Sequence, residues 1–381
     1  MKNIILIQFM LLSFLINPKV KCQTTFSDKF ESDSIKVCQT IEKNEELNNL
    51  ITIFGDPYFL LTNYIKGKNK CDSTFLLEES IIEKIPDLGA TDKLEIIPVV
   101  EWFTSSDEFL SIDGVSYLIR TDSSTILFDL GSYNEGYSAE AQFNLIDSEN
   151  MAAPLMHNLK SLGISLPEID AIVISHSHYD HTGGSGLDIN TKTFYLDKEQ
   201  FNIGDIKVYT PVKMSYPGNE PIYSKKPIKI SHAIATTGVI SNYDFFIGEM
   251  QEQALAINVK DLGIVVVTGC GHQTINKLHE RIMILFNEPL YGLIGGLHLV
   301  CSNTRNLGRL KYIGSGRPPW DPMSIEHIQE YIDLLKHNQI GIIGLSGHDN
   351  CDSTINEFRK AFGKNYKDVK VGKPIVLYYE R

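Results

Sequence analysis

The sequence predicts an α/β fold, a sheet sandwich covered by helices, on three observations. Short apolar, β-branched runs recur along the chain, helical periodicity appears between and after them, and 381 residues with 43% hydrophobic content can bury a full core. Strands are expected at Ile96 to Val100, Val115 to Ile119, Thr125 to Asp129, Ala171 to Ile174, Thr193 to Leu196, Leu255 to Val259 and Ile264 to Thr268. Leu155, Leu159 and Leu162 share one helical face before Gly163, and Ile275, Leu278, Ile282 and Leu285 share another. A third helix runs from Ser324, its expected cap, through Ile328, Tyr331, Ile332 and Leu335. Pro211 to Pro227 reads as a proline-dotted loop.

Three segments divide the chain. Residues 1–22 carry Lys2, an apolar run from Ile4 to Ile16 and the break Asn17-Pro18, the pattern of a secretory signal peptide. The run is shorter than the ~20 residues of a membrane-spanning helix, so any membrane link is limited to an uncleaved signal segment, and a secreted or periplasmic location follows. Residues 23–92 form an accessory segment rich in Asn, Lys, Glu and Ser, and residues 93–381 form the main domain. Cys38 and Cys71 both fall in the accessory segment and could pair in an oxidising compartment. The net charge of −12 speaks against nucleic acid as a partner, because a phosphate backbone needs a basic surface.

Chemistry concentrates in Ser175-His176-Ser177-His178-Tyr179-Asp180-His181-Thr182-Gly183-Gly184, directly after an apolar strand. The chain has 11 histidines, and three of them lie here within six residues beside an aspartate, a density that a scatter of ordinary core or surface histidines does not produce. His176 and His178, two residues apart on extended chain, point the same way and can chelate one cation, while Asp180 and His181 can turn toward a second. Two divalent ions are therefore expected. Imidazole with carboxylate suits zinc, iron or manganese, and zinc is the leading expectation.

This motif resembles the His-X-His-X-Asp-His signature of the metallo-β-lactamase superfamily. Ile126-Leu127-Phe128-Asp129-Leu130-Gly131 resembles that superfamily's first motif, a strand ending in a structural aspartate. Val267-Thr268-Gly269-Cys270-Gly271-His272, Gly295-Gly296-Leu297-His298-Leu299 and Ser346-Gly347-His348-Asp349 follow in the order of the branch of dihydropterin ribofuranosylaminobenzene phosphate synthase-like proteins. The resemblance covers residues 93–379 and implies a metallo-β-lactamase-like αββα sandwich with an N-terminal extension and with metals at one edge. It places His348 as the last histidine ligand. Where most members carry Gly-Asp with a bridging aspartate, this chain has Gly269-Cys270, so either Cys270 bridges as a thiolate or His272 becomes the ligand.

His298 reads as a substrate-facing acid or base or a late ligand, and His232 as a third-motif candidate. Arg305, Arg309, Lys311 and Arg317 form a basic stretch with no acidic residue before Asp321, suited to gripping an anionic small-molecule substrate. The expected activity is a secreted metal-dependent hydrolase that uses a metal-bridged hydroxide on a small ester, lactone, amide or phosphodiester, with Asp180 as ligand and proton acceptor. The alternatives are a di-iron redox protein and a synthase-like enzyme acting on a pterin-type substrate.

Overall fold

The computed structural model describes residues 37–378 except 38, 42, 56, 134–152, 185–187 and 306. The expected signal segment and the Cys38 half of the expected disulfide lie outside the described residues; Cys71 is a free, buried thiol. The chain divides into two units at residues 65 and 66. The first holds helix α1 (Glu45–Phe54), where Asn44 Oδ1 caps the Leu47 N–H at 3.0 Å. Helix α2 (Pro57–Ile81) begins in the first unit and ends in the second.

The second unit contains two sheets. One has seven strands in the order β15-β1-β2-β3-β4-β5-β6, comprising β1 (Lys93–Val100), β2 (Ser116–Arg120), β3 (Thr125–Phe128), β4 (Ala171–Val173), β5 (Lys207–Thr210), β6 (Ile222–Tyr223) and β15 (Ile375–Tyr378). The other has six in the order β14-β13-β12-β11-β8-β7, comprising β7 (Lys229–Ser231), β8 (Ile234–Thr236), β11 (Leu255–Val259), β12 (Gly263–Thr268), β13 (Leu290–Gly295) and β14 (Ile342–Leu345). A hairpin, β9 (Ile240–Asp244) with β10 (Gly248–Glu252), stands apart from both.

Strand alternation builds the layers. Ile96, Tyr117, Phe128 and Val173 of the first sheet meet Leu255, Ile257, Val265 and Ile294 of the second in a shared core. Their neighbours point outward: Ile97, Leu118, Leu127 and Ile172 pack beneath α3 (Pro154–Ser161) through Leu155 and Leu159. On the opposite face Val266, Leu293 and Ile343 pack beneath α4 (Ile275–Leu285), α5 (Ile325–His337) and α6 (Asp352–Phe362). The result is the αββα sandwich. Ser324 caps α5 as expected, its hydroxyl accepting from His327 N at 3.4 Å.

Thr193 to Leu196 is not a strand. Phe194 and Leu196 are fully buried, but Tyr195 N donates to Thr182 O, so the segment bonds to the histidine loop and not to a sheet. Its apolar side chains pack into the layer beneath α3, where Phe194 stacks on Tyr216 with ring centres 4.4 Å apart. Within Pro211 to Pro227 the two-residue β6 takes the sheet edge, a place where flanking prolines cost no ladder bonds.

Candidate metal centre

The site follows from where the parallel strands end. β3 pairs in parallel with β4, and β12, β13 and β14 are parallel neighbours, so five chain segments leave the carboxyl ends of these strands at one edge of the sandwich. Asp129 follows β3, His176 to His181 follow β4, Cys270 and His272 follow β12, His298 follows β13, and His348 and Asp349 follow β14. Asp129 and His298 hold positive φ values of 59° and 53°, as the chain turns sharply off each strand.

His176, His178, Asp180, His181, Cys270, His272, His298 and His348 converge here. Asp180, His181, Cys270 and His348 each bring one donor atom within 4.8 Å of the others, and so do His176, Cys270 and His272. Cys270, His298 and Asp349 form a further such group, which adds Asp349 to the expected set. His178 joins through its ring, centred 4.4 Å from that of His176 and 5.0 Å from that of His272. Cys270 and His272, set against each other by the sequence, thus stand side by side, and Cys270 belongs to every group. Its Sγ lies 3.0 Å from His181 Nε2 and 3.1 Å from His348 Nε2.

The imidazoles are aimed by partners on their far nitrogens. Ser175 Oγ lies 2.8 Å from His176 Nδ1, Gly314 O lies 2.8 Å from His272 Nδ1, and Asp129 Oδ2 lies 2.7 Å from His181 Nδ1. Asp129 also accepts from Ser175 N and Ser175 Oγ at 2.6 Å each, which ties the first motif to the histidine loop. The opposite nitrogens, His176 Nε2 and His272 Nε2, are buried without a hydrogen-bond partner, as are both ring nitrogens of His298. A buried orphaned imidazole nitrogen is costly alone and natural beside a cation. The donor set of imidazoles, carboxylate and thiol therefore fits a transition metal.

His348 is held differently. Its Nδ1 lies 3.1 Å from Gly114 N and 3.6 Å from Asp113 Oδ1, the carboxylate that would accept a hydrogen bond from Nδ1–H if Nε2 turned to a metal. Gly114 has φ +88°, and a Cβ there would stand 1.9 Å from Asp180 O, so the site requires glycine at this approach.

Burial dominates the titration of these groups. Desolvation, with repulsion from neighbouring histidines, holds His176, His178 and His181 well below the ordinary imidazole range, and burial brings His272 down to about 4. Neutral imidazoles are the metal-binding form. Burial works the same way on His348, but the carboxylates of Asp113, Asp180 and Asp349 outweigh it and raise it to about 10. Asp180 is pushed up to about 6 and Asp349 to about 8 by desolvation.

One organising residue gave no sequence signal. Glu252, fully buried at the end of β10, accepts from Cys270 N at 3.1 Å, Gly271 N at 2.9 Å and His272 N at 2.7 Å. It clamps the loop that presents both alternative ligands. Desolvation raises its carboxyl to about 7 against the pull of those donors.

Other expected site residues lie elsewhere or are committed. His232 is exposed, with Nε2 3.1 Å from Ala90 O. Arg305 does not face open solvent: it pairs with Asp352 at 2.7 Å, donates to Gly347 O and Asn350 O, and lies over the Trp102 and Phe103 rings. Arg317 pairs with Asp321, and Lys311 Nζ lies 4.5 Å from the Tyr312 ring centre. The side chain of Arg309 is outside the described residues. Among the described residues, no helix is long and apolar enough to cross a membrane.

Residues 112–187 match the family model of the metallo-β-lactamase superfamily. The chain is similar to the 7,8-dihydropterin-6-methyl-4-(β-D-ribofuranosyl)-aminobenzene-5'-phosphate synthase of Methanocaldococcus jannaschii, 26% identical over 59% of this chain and 84% of that protein. It is also similar to an N-acyl homoserine lactonase of a Bacillus species, 33% identical over 22% of this chain and 36% of that protein. A solved metal-dependent hydrolase of the β-lactamase superfamily superposes with a TM-score of 0.49 at 18% identity, covering 75% of this chain and 99% of the other.

Proposed function

We propose that this metallo-hydrolase of the metallo-β-lactamase superfamily opens a small ester, lactone, amide or phosphodiester at a centre for two divalent cations, zinc first among them. The observation that carries the reading is the pair of buried, orphaned nitrogens, His176 Nε2 and His272 Nε2, on two imidazoles that each bring a donor atom within 4.8 Å of Cys270 Sγ. In this reading His176, His178 and His272 would hold the first cation and Asp180, His181 and His348 the second, with Cys270 within reach of both groups of donors. Bound there, the cations would supply Lewis acidity and hydroxide near neutral pH.

The chain's own groups do the rest. Asp180 accepts a proton from the attacking water at its carboxylate. His298, held neutral by burial, offers a ring N–H to the substrate oxygen on which charge develops. Thiol and imidazole donors favour zinc or iron over magnesium or calcium.

Lactones head the substrate list, because the chain is 33% identical to an N-acyl homoserine lactonase over 22% of its length. Turnover of a panel of lactones, esters, amides and phosphodiesters tests this, together with Asp180→Asn. Full activity in Asp180→Asn would sink the mechanism. The Methanocaldococcus relative, aligned over 84% of its length, favours a second reading, a synthase-type reaction on a pterin-type substrate, which the same panel tests by including a phosphorylated pterin. A thiol in the centre keeps a di-iron redox protein as the third, separated by visible absorption and iron content. The proposal includes export to a secreted or periplasmic location; N-terminal sequencing of the mature protein should find a start near residue 23, and an intact Met1 would contradict it.

A further inference from the structure

The loops that follow β13 and β14 are laced together beside the centre. His298 N donates to Asp349 Oδ2 at 2.9 Å, Leu299 N to Asn350 Oδ1 at 3.1 Å, and Thr354 Oγ1 to Leu299 O at 2.8 Å. Where this lacing ends, Cys301 and Cys351 bring their Sγ atoms to 3.6 Å. Each cysteine lies three residues beyond a histidine of the centre, Cys301 after His298 and Cys351 after His348. Cys301 N and Ser302 Oγ, each 3.4 Å from Cys351 Sγ, hold that sulfur toward Cys301. Cys351 is buried and Cys301 half-buried, so only Cys301 is open to a reagent from outside.

We propose that Cys301 and Cys351 form an intramolecular disulfide under oxidising conditions, fastening the His298 loop to the His348 loop. A sulfur–sulfur bond of about 2.0 Å lies roughly 1.6 Å inside the present separation of 3.6 Å. The oxidant is a small disulfide such as oxidised glutathione. Cys301 sulfur attacks it, forms the mixed disulfide and releases one thiol; Cys351 sulfur then attacks the Cys301 sulfur and releases the second. Two protein thiols are oxidised and one disulfide is reduced to two thiols, so atoms and electrons balance. The bond adds a covalent tie to loops already joined by hydrogen bonds, and it closes a long chain loop in the unfolded state.

The test equilibrates the purified full chain, with zinc present, in oxidised and reduced glutathione mixtures, alkylates the remaining thiols and maps the peptides by mass spectrometry. The expected result is a peptide pair linked through Cys301 and Cys351 in wild type and in Cys71→Ser, absent from Cys301→Ser. Oxidation should also raise the thermal midpoint by several degrees in wild type and leave Cys301→Ser unmoved. A glutathione adduct on Cys301 without the linked pair, or two alkylated cysteines at an oxidising poise, overturns the proposal. An equal rise of the midpoint in Cys301→Ser overturns the fastening.

Discussion

Replacing Glu252 by alanine should damage the centre without touching any of its donor atoms. The carboxylate is fully buried and accepts from three consecutive backbone N–H groups, those of Cys270, Gly271 and His272, at 2.7 to 3.1 Å. In alanine all three donors lose their partner, at about 1–3 kcal/mol for each buried orphan. The losses share one loop and are not additive, so roughly 3–6 kcal/mol is expected, a large part of the ~5–15 kcal/mol that holds a typical domain. Glu252→Gln keeps one carbonyl acceptor and turns an N–H toward the same donors, so about half of that loss is expected. Urea unfolding of the chelated proteins measures the stability change, and competition with a chromophoric chelator measures metal affinity. Metal affinity should fall about 10- to 100-fold in Glu252→Ala, as for other residues that orient ligands. A loss below about 1 kcal/mol with unchanged affinity would refute the clamp.

Asp129→Asn leaves the His181 Nδ1 contact, 2.7 Å long, without its carboxylate, and metal affinity measured by chelator competition should drop about 10- to 100-fold. His298→Ala should keep its metal and lose about 10²–10⁴ in kcat, because its ring is the group that faces the substrate oxygen in this reading; metal loss measured alongside would make it a ligand instead. Gly314→Ala puts a Cβ 2.4 Å from His298 Nε2 at φ +85°, so turnover should fall while far-ultraviolet circular dichroism stays native. Arg305→Ala should lower the urea midpoint, by about 2–3 kcal/mol of stability, and leave KM for an anionic substrate unchanged. A raised KM at native stability would return Arg305 to substrate binding.

Much of the fold and the reach of the site were legible because both depend on local pattern. β11 runs from Leu255 to Val259 as its β-branched run predicts, and α4 from Ile275 to Leu285 as its periodicity predicts. The convergence of His176, Cys270, His298 and His348 was legible only through the resemblance, since residues far apart in sequence meet because parallel strands end together. What stayed hidden depends on tertiary contact. Thr193 to Leu196 has a strand's composition but bonds to a loop, so periodicity cannot separate it from a strand. Glu252 looks like an ordinary residue of a polar hairpin, and only the fold brings it beneath the Cys270 loop. Arg305 looks like a free cation until Asp352 and two carbonyl oxygens are seen around it.

The central claim is that the groups around Cys270 hold the cations that drive hydrolysis. Metal content by elemental mass spectrometry, read together with turnover of one active panel substrate before chelation, after chelation and after zinc is restored, tests it most directly. The account predicts two divalent ions per chain, loss of turnover with the metal and its return with zinc. Undiminished hydrolysis by metal-free protein would contradict it.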